Sequence, residues 1–222
     1  MVNSDVNILI ACEESQAECK AFVARGFNAY SCDIQPCRRG GDPSRHIQGD
    51  VTPYLHGLAK FETMDGVTHD LCRWHMIIAH PPCTYLCKVS SFWMVHNGVL
   101  DENRFTLMEQ ARDFFFECLN ANAPFVAVEN PLPMARAKLP KPSCYVQPYW
   151  FGHPFSKKTL YWLKNLPPLM PSAMRPDFKE FVRNSRGKYR SRTFPMVATA
   201  IAKQWGDYVF MELYKQEMQW QK

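Results

Sequence analysis

The chain has 222 residues, 46% of them hydrophobic, which suits one domain, or one domain with a small appendage, around a substantial core. No run approaches the roughly 20 apolar residues of a membrane-spanning helix, and the first five residues lack the pattern of a secretory signal. We therefore expect a cytoplasmic protein that does not bind a membrane. The nine cysteines contain no CxxC pair, which disfavours structural disulfides and a zinc site.

The net charge of +5 is unevenly distributed along the chain. Residues 1–130 carry 10 basic and 16 acidic residues, a net charge of −6, whereas residues 131–192 carry 13 basic and 2 acidic residues, a net charge of +11. Aromatic residues are interspersed in the basic segment. This combination suits a nucleic acid, through phosphate contacts and base stacking. A solvated loop with lysines for solubility is the alternative interpretation.

The first third of the chain predicts alternating strands and helices. Residues 6–11 form an apolar run typical of a strand, a helical pattern follows, and residues 27–33 predict a second strand that ends in Asp33. Residues 46–51 predict a third strand with Asp50 at its tip. This is the outline of a mononucleotide-binding unit, in which Asp33 and Asp50 are placed to hold a ribose and its base.

The fourth predicted strand, residues 76–79, stops at His80-Pro81-Pro82 and is followed at once by Cys83. Ligands of open α/β sheets bind beyond the carboxyl ends of the strands. Cys83 is therefore a candidate nucleophile on a stiff loop. The alternative is that Cys83 is a small buried hydrophobe.

The remaining elements continue the same pattern. Residues 101–121 predict a helix, and residues 124–130 predict a fifth strand, with Glu129 as a candidate acid beside Cys83. After Pro131 the chain is rich in proline, with short strands predicted near residues 144–152 and 159–166. Residues 194–206 predict an amphipathic helix, and residues 208–214 predict a last strand or helix.

Five motifs in this order resemble the DNA cytosine-5 methyltransferases. They are the strand–helix start at 8–26, the acidic strand end at Asp33, GDV at 49–51, PPC at 81–83 and VEN at 128–130. YRSRTFPMVATAIAKQWG, residues 189–206, is similar to the family's R-x-R motif fused to its last helical motif. The likeness is greatest to a compact phage and prophage group, through HIQGDV, IIAHPPCTYL, VAVENP and QPYWFGHPFSKKTLYWLKNLPPL, and it covers roughly residues 6–207.

The resemblance implies a fold and a division of the chain. It implies an α/β protein with a doubly wound, Rossmann-like methyltransferase sheet and helices on both faces. Residues 1–130 and 190–222 would form the methyltransferase core. Residues 131–189 would be a small basic insertion, rich in proline and aromatic residues, in place of the family's target recognition domain. The implied partner is single- or double-stranded DNA in a bacterial or phage-infected cell, bound by a monomer or small homo-oligomer.

The resemblance also implies a covalent mechanism. The Cys83 thiolate would add to carbon 6 of cytosine while Glu129 protonates or hydrogen-bonds to ring nitrogen 3. The methyl group of S-adenosylmethionine would then pass to carbon 5, and Cys83 would be eliminated. Arg190 and Arg192 would hold the target base, which must leave a duplex before a thiolate can reach it.

Two sets of binding residues follow from the resemblance. The cofactor set is Cys12, Glu13, Glu14, Ser15, Asp33, Ile34, Asp50, Val51 and Pro81. The nucleic-acid set is Lys157, Lys158, Arg183, Arg186 and Lys188. No metal ligand is implied. The loop ACEESQ departs from the family's pattern, because no glycine lies between Ala11 and Gly26, and Glu13 or Glu14 is expected to contact the methionine amino group instead.

Two other functions are compatible with the sequence. One is the same covalent chemistry on a free nucleotide or an RNA base, although the net charge of +11 over residues 131–192 favours a polymer. The other is a catalytically silent nucleic-acid-binding relative with a counter-defence role, which the altered loop supports. His80 lacks metal-ligand spacing and is predicted to be a surface or supporting residue.

Overall fold

The computed structural model describes residues 1–180 and 193–220, built around a seven-stranded sheet. Its strands are β1 (Asn7–Ala11), β2 (Asn28–Asp33), β3 (His46–Gln48), β4 (Met76–Ala79), β5 (Phe125–Asn130), β6 (Cys144–Val146) and β7 (Thr159–Lys164). Their order across the sheet is β3-β2-β1-β4-β5-β7-β6. Strands β1 to β5 are parallel, and β7 is antiparallel to both β5 and β6. The strand order reverses between β1 and β4, which is where open α/β sheets bind ligands.

Four α-helices accompany the sheet in the described ranges. They are α1 (Ala17–Val23), α2 (Thr52–Leu55), α3 (Glu102–Leu119) and α4 (Pro195–Trp220). Short 3-10 helices lie at Asn3–Asp5, Pro43–Arg45, Lys88–Met94, Ala135–Ala137 and Pro148–Trp150. Small strand pairs join Lys60–Glu62 to Thr68–Asp70, Val95–His96 to Val99–Leu100 and Phe155–Ser156 to Lys179–Glu180. Among these helices, none is long and apolar enough to cross a membrane.

The core lies on both faces of the sheet because alternate side chains of each strand point in opposite directions. All of β1 is buried, as expected for a central parallel strand. One face is covered by α3, with the side chains Leu9, Ala11, Met108 and Phe115. The other is covered by α1 and α4, with Ile8, Ile10, Phe22 and Trp205. The predicted α/β fold with helices on both faces is therefore confirmed.

The segment after Pro131 contributes two strands to the central sheet. In β7, Tyr161 is paired with Glu129 and Trp162 with Val128 of β5. Trp162 is buried, and its ring packs edge-on against Phe115 of α3, with 4.9 Å between ring centroids. Residues 144–164 thus extend the sheet beyond β5.

The last helix is longer than the amphipathic pattern at 194–206 predicts. It continues through residues 208–214, so helix rather than strand is correct there. Val209 and Leu213, four residues apart, are buried in the same cluster as Phe125. Gly206 lets α4 approach closely, because a Cβ there would lie 2.7 Å from the Phe27 ring.

Candidate active site

The ends of β4 and β5 bring the Pro-Pro loop beside Glu129. The two strands are parallel neighbours with Ala79 opposite Val128, so both chains leave the sheet at the same level. The Asn130 side-chain amide donates a hydrogen bond to the Pro81 carbonyl at 3.2 Å. On the other side, the His80 N–H donates to the Ala11 carbonyl at 2.9 Å. The loop that carries Cys83 is therefore anchored from both neighbouring strands.

Cys83 is half-buried at the start of a tight turn, in which the N–H groups of Leu86 and Cys87 donate to its carbonyl at 3.1 and 3.0 Å. A hydrogen bond with Cys87, burial, and the negative charges of Cys87 and Glu129 raise the pKa of Cys83. The same hydrogen bond, as the main cause, lowers the pKa of Cys87 to about 5. The two cysteines therefore act on each other's ionisation. A candidate nucleophile at Cys83 would need to lose its proton, because the thiolate is the reactive form.

Glu129 has opposing influences on its ionisation. Burial acts to raise the pKa of Glu129, but the hydrogen bond with His80 and the positive charges of Lys157 and His80 outweigh it, so the pKa lies below its usual value. His80 Nδ1 is 3.3 Å from Glu129 Oε2. Glu129 therefore sits in a buried environment that accepts its ionised form.

The first acidic loop, at the end of β1, uses its carboxylates to hold its own structure. Glu13 is buried and accepts from the N–H groups of Glu18 and Cys19, at 2.7 and 3.2 Å, at the start of α1. Burial and the charge of Glu18 raise the pKa of Glu13 to about 8. Glu14 forms a two-point ion pair with Arg38. Both residues expected to contact the methionine amino group thus already have partners within the protein.

The same loop is bounded by two residues in the left-handed region, Cys12 with φ of 61° and Gln16 with φ of 56°. Residues other than glycine seldom adopt this backbone conformation, and such backbone strain is concentrated at functional sites. The Gln16 amide is fully buried. It donates to Ser31 Oγ at 3.1 Å and to the Asp42 carbonyl at 3.0 Å, and its oxygen accepts from Asp42 N–H at 2.6 Å. These bonds tie α1 to the loop that follows β2.

Asp33 and Asp50 lie close together at the ends of β2 and β3. Asp33 accepts from Gln35 N–H at 2.9 Å, and Asp50 accepts from Thr52 N–H at 3.0 Å. Burial, followed by the charges of Asp33 and Asp50, raises the pKa of Cys12 to about 12. Ile34, directly after Asp33, is 71% exposed. Two carboxylates and an accessible apolar side chain are therefore present where the sequence predicts a nucleoside.

Two clefts open at this edge of the sheet. The first, cleft A, is lined by Cys12, Glu13, Glu14, Ser15, Arg38, His80 and Thr193. The second, cleft B, is lined by Glu129, Val146, Pro148, Lys157, Thr159, Tyr161, Thr193, Phe194 and Val197. Thr193 lines both. His80 of cleft A contacts Glu129 of cleft B, so this pair stands between the clefts. Cys83 lines neither cleft, and Val51 and Pro81 are buried.

The predicted basic residues divide into two groups. Lys157 is half-buried and close enough to Glu129 to lower its pKa. Lys158 is exposed, with its Nζ 4.5 Å from the centre of the Tyr145 ring. The other five predicted residues lie outside the described residues: Arg183, Arg186, Lys188, Arg190 and Arg192. Thr193, the first described residue after them, lines both clefts.

The sequence reasoning missed Glu18 and predicted His80 only as a surface or supporting residue. His80 Nε2 lies 3.3 Å from Glu18 Oε1, and Glu18 is fully buried. In sequence, Glu18 looked like an ordinary acidic residue in the first turn of a helix. The available signal was the position of His80 directly after a buried strand.

Comparisons with known proteins give a limited result. No family model and no curated protein matches the chain. One similar crystal structure is described as a DNA modification methyltransferase encoded within an E. coli prophage, at a TM-score of 0.44 and 16% identity. The match covers 77% of this chain and 52% of that chain. The present chain thus spans about half the length of that protein, and the likeness assigns it no activity.

Proposed function

We propose that this protein is an S-adenosylmethionine-dependent DNA cytosine-5 methyltransferase with Cys83 as its nucleophile. The observation that carries the proposal is the pairing of Cys83 and Glu129 on adjacent strand ends. The charge of Glu129 acts on Cys83, and Asn130 fixes the intervening loop through Pro81. A thiol and a carboxyl held on rigid loops are the groups needed for addition to a pyrimidine ring.

The topology supports the proposal. Five parallel strands in the order 3-2-1-4-5, followed by an antiparallel β7 inserted before β6, form the arrangement of Rossmann-like methyltransferases. The reversal between β1 and β4 places the candidate cofactor residues and Cys83 on the same edge. The order of the five sequence motifs along the chain supports the same function.

The residues at the ends of β1 to β3 fit S-adenosylmethionine, which supplies the methyl group for carbon 5 when bound. The cofactor carries a sulfonium and an ammonium against one carboxylate, and cleft A contains Glu13 and Glu14. Asp33 and Asp50 would hold the ribose and adenine, and exposed Ile34 would contact the adenine ring. Glu13 and Glu14 shape cleft A rather than contact the cofactor directly, because their oxygens are bonded to the protein.

The chain's own groups account for the activation of the base. Cys83 passes its proton to Cys87 and forms a bond from sulfur to carbon 6. The electron pair of the C5–C6 double bond shifts toward carbon 4, and ring nitrogen 3 takes a proton that comes from solvent by way of Glu129, which carries it only transiently because its pKa lies below the usual value. His80 and Lys157 then stabilise the Glu129 carboxylate. After carbon 5 has gained the methyl group, a base removes the proton that remains on carbon 5, the Cys83 thiolate leaves carbon 6, and the C5–C6 double bond is restored.

A polymeric substrate is supported by charge. The net charge of +11 over residues 131–192 suits a phosphate backbone. We propose that Lys157, Lys158, Arg183, Arg186 and Lys188 contact phosphates, and that Arg190 and Arg192 contact the target base. Thr193 borders both clefts, so the chain enters α4 next to them.

Covalent trapping tests the proposal. DNA that contains 5-fluorocytosine, incubated with the protein and S-adenosylmethionine, should form a stable adduct, because fluorine cannot leave as a proton does. Intact-mass spectrometry should show the adduct in the wild type and in Cys72→Ser, which removes an exposed thiol elsewhere. Cys83→Ser should form none. The proposal fails if duplex, single-stranded and mononucleotide substrates all give no adduct, or if Cys83→Ser still gives one.

The second candidate function is nucleic-acid binding without catalysis. It is favoured because Glu13 and Glu14 are already bonded to other groups of the protein, the Glu18 N–H and the Arg38 guanidinium. Calorimetry separates the two. Saturable binding of S-adenosylmethionine supports the enzyme, whereas absence of heat at millimolar cofactor together with DNA binding supports the silent relative.

A further inference from the structure

A row of three charged groups runs behind the candidate acid. Glu18 of α1, His80 after β4 and Glu129 of β5 come from separate elements and meet at His80. Its Nδ1 is 3.3 Å from Glu129 Oε2, and its Nε2 is 3.3 Å from Glu18 Oε1. The backbone N–H of His80 donates to the Ala11 carbonyl at 2.9 Å, which fixes the main chain that carries the imidazole ring.

Glu18 is unusual because its side chain is fully buried and poorly bonded. Neither carboxylate oxygen has a hydrogen-bond donor among the described residues, and Glu18 Oε1 forms an ion pair there with His80 Nε2 at 3.3 Å. A buried carboxylate with so few partners costs stability rather than adding to it. Packing alone therefore gives no reason for a charge at this position, whereas a requirement to keep His80 positively charged does.

We propose that His80 is a positioning residue for Glu129: the His80 imidazolium, held in place by Glu18, orients the Glu129 carboxyl toward the target base and stabilises its ionised form. This inference rests on the proposed function and names a group that the five motifs do not assign. Burial would lower the pKa of His80, but the charge of Glu18, together with the hydrogen bond and charge of Glu129, raises it well above its usual value. Glu13 and Lys157 are the other charged groups that act on this pair.

The charge state can be measured without catalysis. Nitrogen-15 NMR of the full chain should show His80 protonated at both ring nitrogens through neutral pH, with the signal assigned by its loss in His80→Asn. Glu18→Gln should shift its titration to lower pH, because the buried counter-charge is gone. A neutral His80 in the wild type at neutral pH, or an unchanged titration in Glu18→Gln, would overturn the inference.

The positioning role needs a kinetic readout that does not depend on the cofactor. Release of tritium from carbon 5 of cytosine in DNA, without methyl donor, requires thiol addition and the Glu129 proton. His80→Asn should lower this rate about 10- to 100-fold, as expected for a misplaced catalytic group, while DNA affinity stays the same. His75→Asn is the matched control: it removes a buried histidine at the other end of β4, whose Nδ1 accepts from Asn7 N–H.

The outcomes separate the two proposals. Release in the wild type that disappears in Cys83→Ser upholds the proposed function, and a wild-type rate in His80→Asn then overturns only the role of His80. Equal losses in His80→Asn and His75→Asn would also overturn it, because they would indicate general damage to β4. No release from the wild type on any cytosine substrate overturns both.

Discussion

The two halves of the candidate site use acidic residues in opposite ways. At the end of β1, Glu13 caps α1 and Glu14 pairs with Arg38, so both carboxylates hold the protein's own chain. At the end of β5, Glu129 borders cleft B, and its Oε2 lies 3.3 Å from His80 Nδ1. One loop is closed by its carboxylates, whereas the other leaves a carboxylate in the wall of a cleft.

This difference shows why residue type at a strand end is insufficient evidence for a ligand contact. An acidic residue after a strand can bind a substrate, or it can satisfy the free N–H groups of the next helix. Glu13 and Glu129 occupy similar places after β1 and within β5, and only their partners distinguish them. The pKa of Glu13 is raised, whereas that of Glu129 is lowered.

The largest expected effect is on Glu129. Glu129→Gln keeps the shape of the side chain but removes the carboxyl that can carry a proton to the ring, so adduct formation with 5-fluorocytosine DNA should slow about 100-fold or more. Single-turnover mass spectrometry measures this rate. Glu109→Gln, a change at a partly exposed position of α3 that pairs with Arg112, should behave as the wild type. A wild-type rate in Glu129→Gln would show that both acidic loops are structural and would remove the contrast.

Much of the sheet was predictable because its strands are local apolar runs. Residues 76–79 and 124–130 stand out as buried strands, and the polar residues after them mark the functional edge. The joining of β7 to β5 was not predictable, since it pairs residues about thirty positions apart across a proline-rich segment whose alternation fits any edge strand.

The partners of the charged residues were the harder part of the site. His80 is 49 residues from Glu129 and 62 from Glu18 along the chain, so no spacing rule connects them. The Glu13 cap was hidden for another reason: a carboxylate five residues before the N–H that it binds lies outside the usual capping pattern. Long-range side-chain pairing thus needs the fold.

An intermediate effect is expected on the affinity for S-adenosylmethionine, and this affinity tests the role of the acidic loop after β1. Asp33→Asn should weaken S-adenosylmethionine binding about tenfold or more, as for loss of a hydrogen bond to a charged group. Glu14→Gln should change the affinity much less, because Glu14 is bonded to Arg38. Calorimetry measures both. If Glu14→Gln has the larger effect, the ion pair opens for the cofactor, and the first loop resembles the second after all.

The smallest expected effect concerns stability and pH. Burial and Glu18 raise the pKa of Glu13 from 4.5 to about 8. A raised carboxyl pKa means that the folded protein holds the proton more tightly. The stabilisation is therefore complete below the ordinary value and is lost as the pH rises through about 8. Glu13→Gln should flatten this fall in the free energy of unfolding, measured by urea titration.

Glu62→Gln removes the same charge from an exposed strand position and controls for the change in net charge. Parallel curves for the wild type and Glu13→Gln would mean that Glu13 is ionised throughout. In that case its two bonds to the N–H groups of Glu18 and Cys19 outweigh burial. The first loop would then stabilise a buried carboxylate as effectively as His80 and Lys157 do for Glu129, by main-chain donors instead of cations.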